Sequence, residues 1–155
     1  MKNIAILLLI LLLADISYGE TEYYQQAKVS YKKARRSSLK SDYMNASKNA
    51  ARALEQYVQS GDDEKAREMR TIKEGSDAVI KQINDMISMA IQNKKIATGM
   101  SKEEVKLSWG EPKSINKVTG QKGTIEQWIY GETTTKTDKY VYFNEEGEVD
   151  SFQDK

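Results

Sequence analysis

Ile96-Ala97-Thr98-Gly99-Met100-Ser101-Lys102-Glu103-Glu104-Val105-Lys106-Leu107-Ser108-Trp109-Gly110-Glu111-Pro112 separates two kinds of sequence. Before it, apolar residues recur at helical spacing; after it, they alternate as in strands. Gly99 can end the preceding helix, because glycine enters left-handed backbone without a Cβ clash. Ser101 then fits an N-cap, Glu104 completes a capping box, and Met100 and Val105 make a hydrophobic staple across the cap. These signals converge on a helix that starts at Ser101. Gly110 and Pro112 stop it after a short run, and the proline pushes Glu111 into extended backbone.

Downstream, residues 113–119, 124–130, 139–143 and 148–152 read as strands. The first pair is joined by Gly120-Gln121-Lys122-Gly123, and a threonine-rich polar loop spans 131–137. Asn144-Glu145-Glu146-Gly147 forms the last turn. Hairpin connections make the sheet antiparallel, with one face covered by helices. Alternation sets Trp128 and Tyr130 opposite Ile125 and Ile129, and Tyr140 and Tyr142 opposite Val141 and Phe143. The aliphatic set with Phe143 is expected in the core. Trp128, Tyr130, Tyr140 and Tyr142 are then expected on a partly exposed aromatic face that could bind a protein.

Upstream, residues 21–95 contain no proline and only two glycines, Gly61 and Gly75. Three helices are expected, at about 22–38, 42–59 and 63–95. The first places Tyr24, Ala27, Tyr31 and Ala34 on one face. The second, with Ser41 or Asp42 as cap, places Tyr43, Ala46, Ala50, Ala53, Leu54 and Tyr57 on one face. In the third, Met69, Ile72, Ser76, Val79, Ile83, Met86 and Ala90 form a heptad seam, which could pack on the first two helices or serve a partner helix. The fold class expected is α+β: an N-terminal helical hairpin plus a long helix, then a short helix packed on a small three- to four-stranded antiparallel sheet. The chain divides into 1–19, 20–95 and 96–155.

The order Ile96-x-x-Gly99-Met100-Ser101-x-x-x-Val105, then Gly110-x-Pro112, Gln127-Trp128-Ile129-Tyr130-Gly131, Tyr142-Phe143, Gly147 and Val149 resembles the SmpA/OmlA (BamE-like) family of small envelope lipoproteins. The likeness covers residues 95–153. It implies two helices packed on a small antiparallel sheet, and a non-catalytic role such as the outer-membrane assembly role of the family's best-known members. The run Ser41-Asp42-Tyr43-x-x-Ala46 through Ala53-Leu54, then Gly61-Asp62-Asp63-x-x-Ala66, resembles a tetratricopeptide-type helical hairpin. No second clean copy follows, so one divergent hairpin is expected rather than an array.

Residues 1–19 read as a secretory signal. Lys2 precedes the apolar run Ile4–Ala14, which is too short to span a bilayer, and Ser17 and Gly19 fit a cleavage site between Gly19 and Glu20. Retention as an N-terminal anchor is the alternative. The chain has no cysteine, so the covalent lipid anchor typical of the resembled family is not expected. Export to the periplasm or cell envelope, or secretion, is the expected destination.

Charge is nearly balanced, 24 basic against 23 acidic residues, which argues against bulk nucleic-acid binding. It is unevenly spread, however. Between Lys28 and Arg52 lie eight basic residues and one acidic residue, Asp42, and Lys28, Lys32, Arg35 and Arg36 share one helical face. In an exported protein, such a face could meet lipid head groups, cell-wall polymers or an acidic protein patch. The alternative is a solvated helix surface.

The chain has neither histidine nor cysteine, which removes the commonest general base and every Ser-His or Cys-His pair. Glu145, Glu146 and Glu148 lie on a turn and lack the fixed cleft geometry of a glycosidase pair or the spacing of a calcium loop. No cofactor, metal site or catalytic residue is expected. Two functions fit: an envelope module that binds a protein partner, or a secreted inhibitor of a β-lactamase or other hydrolase. The inhibitor reading rests on a scaffold similar to β-lactamase-inhibitory proteins, which grip an enzyme with an aromatic sheet face.

Overall fold

A computed structural model of the chain describes residues 20–37, 39–120, 123–131 and 139–154. Residues 1–19, read as a secretory signal with cleavage after Gly19, lie outside them, as do Gln121 and Lys122 of the expected first turn and residues 132–138, which include most of the expected threonine-rich loop. Helices α1 (Glu22–Ser37), α2 (Lys40–Ser60), α3 (Asp63–Gln92) and α4 (Lys102–Trp109) precede strands β1 (Ser114–Gly120), β2 (Gly123–Tyr130), β3 (Lys139–Phe143) and β4 (Val149–Gln153). The strands form one antiparallel sheet in the order β1-β2-β3-β4. The fold is α+β, with the sheet at the C-terminal end. Two compact units divide within α3, between Val79 and Ile80, whereas the apolar spacing changes only near residue 95.

The first unit is built from tyrosines and alanines. Ala27, Ala34, Ala46, Ala50 and Ala53 are fully buried, which lets helix backbones approach closely. Tyr24 and Tyr57 fill the space between them edge to face, with ring centroids 5.6 Å apart. Met69 and Ile72 of α3 close the same core. The cap of α2 differs from expectation. Leu39 occupies the N-cap without a side-chain bond, and the helix begins at Lys40. Asp42 is instead buried in the first turn. There it accepts a hydrogen bond from Ser37 Oγ at 2.6 Å and pairs with Lys33 at 2.8 Å, clasping the end of α1 to the start of α2.

The second unit has its own core of Ile87, Ile96, Met100, Val105, Trp128, Tyr130, Val141, Phe143 and Val149. The helix start at Ser101 is built as its residues dictate. Ser101 Oγ accepts from the Glu104 amide at 3.2 Å, and Glu104 Oε2 accepts from the Ser101 amide at 2.7 Å. Both staple residues, Met100 and Val105, are fully buried. The segment before the cap is also tied to β4. The Gly99 amide donates to Val149 O, and the Val149 amide donates to Met100 O, both at 2.8 Å. The α3 seam departs from its heptad reading in its last turns. Ile87, four residues beyond Ile83, enters the core, and Met86 is exposed. The helix keeps its 3.6-residue period where a heptad would need 3.5.

Candidate functional site

The sheet decides which aromatic residues can meet a partner. Residues directly opposed in an antiparallel pair share a face. Trp128 is opposite Val141, and Ile129 is opposite Tyr140. The indole and Val141 must therefore lie on one side, with Ile129 and Tyr140 on the other. Trp128 is 2% exposed and Tyr130 8%, while Ile125 is 52% exposed. The expectation that Trp128 and Tyr130 form an exposed face, with Ile125 and Ile129 in the core, is thus overturned. For β3 the expected sides hold: Val141 and Phe143 are buried, and Tyr140 and Tyr142 are half-buried on the opposite face.

Burial of the large rings is possible because their polar atoms find partners. Trp128 Nε1 donates to Glu126 Oε2 at 3.2 Å, and Tyr130 OH donates to the Gly110 carbonyl at 3.1 Å. Burial, and to a lesser degree the charge of Glu111, pushes the Tyr130 hydroxyl up to about 12. Glu126 sits on the same buried side and would be costly there alone. Lys102 and Lys117 each place an ammonium 3.0 Å from its Oε1. Burial drives its pKa up. Hydrogen bonds from Lys102, Lys117 and Trp128 more than offset that and hold it at about 2. Gly110 has φ +83° and ψ −163°, a region open essentially only to glycine, and this turns its carbonyl toward Tyr130.

The opposite face of the sheet is the first candidate surface. It carries Ile125, Ile129, Tyr140 and Tyr142, none of which belongs to the buried core. The Tyr140 and Tyr142 rings are stacked 6.5 Å apart at 28°. A polar ladder crosses the same face: Asn116 Nδ2 donates to Gln127 Oε1 at 2.9 Å, and Gln127 Nε2 donates to Tyr142 OH at 3.0 Å. This array fixes the Tyr142 hydroxyl while leaving apolar area beside it. Of the four aromatic residues expected to bind a partner, Tyr140 and Tyr142 are here and Trp128 and Tyr130 are not. Ile125 and Ile129 take their place.

The second candidate surface is basic. Lys28, Lys32, Arg35 and Arg36 line one groove of about 540 Å³, together with Tyr31 of α1 and Glu68 and Ile72 of α3. Lys28 lies 3.4 Å from Glu68 and 4.7 Å from the centre of the Tyr24 ring. Lys32, Arg35 and Arg36 have no acidic partner among the described residues. Helical spacing along α1 was enough to group the four cations. It could not supply Tyr31, which reads as a packing residue, or Glu68 and Ile72, which arrive from another helix.

A third concavity, of about 720 Å³, lies beside Trp109, with Lys94, Lys106 and Lys139 at its rim. Two of these lysines are already paired, Lys106 with Glu111 at 3.0 Å and Lys139 with Asp154 at 2.6 Å. Among the described residues, no group of three carboxylates is placed to hold a metal ion. No helix of the described residues is long and apolar enough to cross a membrane. No protein-family model, curated protein or solved structure matches the chain. Of the motif residues quoted from the sequence, Ile96, Met100, Val105, Trp128, Tyr130, Phe143 and Val149 meet in one core.

Proposed function

We propose that the chain is an exported, non-catalytic binding module of the bacterial cell envelope that engages a protein partner through the open face of its sheet. The observation that carries this reading is the partly exposed array of Ile125, Ile129, Tyr140 and Tyr142 opposite a fully packed core face. A tyrosine held by a neighbouring hydrogen bond, as Tyr142 is by Gln127, offers apolar area at small entropic cost, the pattern of residues that anchor interfaces. Gathering of the SmpA/OmlA-like motif residues in the core of this unit supports an assembly role in the envelope. The basic groove supplies a second surface, for an anionic partner.

A photo-crosslinker at Ile125 in living cells should capture an envelope protein, and Tyr140→Ala with Tyr142→Ala should abolish that capture while the circular dichroism remains that of the folded chain. Undiminished capture by the double variant would remove the sheet face from the site. The stacked tyrosine pair also favours the inhibitor reading, in which the same face covers a hydrolase. A panel of β-lactamases and other secreted hydrolases assayed with the purified protein separates the two readings. The exported form is expected to start at Glu20. An intact mass that includes residues 1–19, or an added acyl chain, would sink the signal-peptide reading.

A further inference from the structure

We infer that the basic groove takes the acidic hairpin of a second copy of this chain, joining copies head to tail; this rests on the reading of the groove as a binding surface. The groove is lined by Tyr31 and Ile72 as well as by its cations, so it offers apolar area beside positive charge. A segment that carries both carboxylates and apolar side chains matches that lining.

Such a segment exists on the same chain. The turn between β3 and β4 exposes Glu145 and Glu146, and Asp150 follows on β4. Together they border a depression of about 340 Å³ that also contains Ile125 and Tyr142. The two patches are thus opposite in charge, and each mixes charge with apolar area. The chain as a whole carries a formal net charge of +1, so copies do not repel one another through net charge. Because the groove and the hairpin are different surfaces, each contact uses one of each, and the copies either exchange them reciprocally or pass them on to further copies. Glu68 inside the groove pairs with Lys28 at one end and leaves Lys32, Arg35 and Arg36 to meet the incoming carboxylates.

Sedimentation velocity of the purified protein over a concentration series tests this. At about 10 mM salt, where the Debye length is about 30 Å, the wild type should sediment faster as concentration rises. At about 0.15 M, with screening over about 8 Å, the effect should shrink. Lys32→Glu with Arg36→Glu should stay monomeric, and so should Glu145→Lys with Asp150→Lys. All four positions are exposed, and the circular dichroism of both variants should match the wild type. Mixing the two variants should restore association, because the acidic hairpin of the first meets the intact groove of the second. A wild type that remains monomeric at low salt overturns the proposal, as does association that survives groove reversal or a mixture that fails to associate. Salt-dependent binding of monomeric wild type to anionic phosphatidylglycerol vesicles, lost in the groove variant, would also overturn it and give the groove to lipid. Capture of a different protein at Ile125 by a wild type that does not self-associate would overturn this proposal and leave the sheet-face reading standing.

Discussion

Trp128 shows how one side chain decides a sheet. Its ring packs at 4.7 Å from Phe143 and lies under the Lys106 ammonium at 5.7 Å, and its N–H is satisfied by Glu126. Trp128→Ala should therefore cost about 3–5 kcal/mol, measured as a drop in the denaturant midpoint at unchanged slope. A loss below about 1 kcal/mol would mean that the ring is not core. Glu126 contributes through linkage. Its carboxyl ordinarily titrates at 4.5 and is held at about 2 in the folded chain. A depressed folded pKa adds stability above pH 4.5, and that stability is lost as pH falls from 4.5 toward 2. Unfolding curves of wild type and Glu126→Gln should differ most near neutral pH and converge toward pH 2. A constant gap across that window would show that the carboxylate charge is not what Lys102 and Lys117 hold.

At the scale of elements, the short α4 depends on its first turn. A helix of eight residues cannot sustain itself in water, because nucleation is unfavourable and few bonds follow it. Its reciprocal cap satisfies an amide at each end of the box, and Met100 and Val105 anchor it below. Ser101→Ala should cost about 1 kcal/mol in equilibrium unfolding, and Ser101→Thr or Ser101→Asp should retain most of that stability. Equal losses for all three would place the effect in packing rather than in the cap. The hairpin of α1 and α2 is fastened differently. Its join relies on Ser37 and Lys33 of α1 and on buried Asp42, the residue expected as a cap of the next helix.

For the molecule as a whole, two separate cores share one long helix. The tyrosine–alanine core ends with Ile72, and the sheet core begins with Ile83. Stability in such a chain is not uniform, and local unfolding follows the core that is weakened. Hydrogen exchange of Trp128→Ala should show lost protection first in residues 96–153, with α1 and α2 better retained. Equal loss in both units would show that they unfold as one.

Several features follow from sequence alone, since they depend on neighbours along the chain. The capped helix at Ser101, the stop at Gly110 and Pro112, the helix-then-sheet order and the grouping of Lys28, Lys32, Arg35 and Arg36 all rest on local spacing. Which sheet face is buried does not. Alternation sorts Trp128 and Tyr130 from Ile125 and Ile129, but both sets are apolar, and Glu126 on the Trp128 side makes that side look solvated. Only the tertiary structure brings Lys102 from α4 and Lys117 from β1 to that carboxylate, so that the charge can be buried and the rings beside it can go inward. The same holds for the groove, where Glu68 and Ile72 reach α1 from a helix more than thirty residues away. Pairings at that separation are set by packing of whole elements, to which local periodicity is blind.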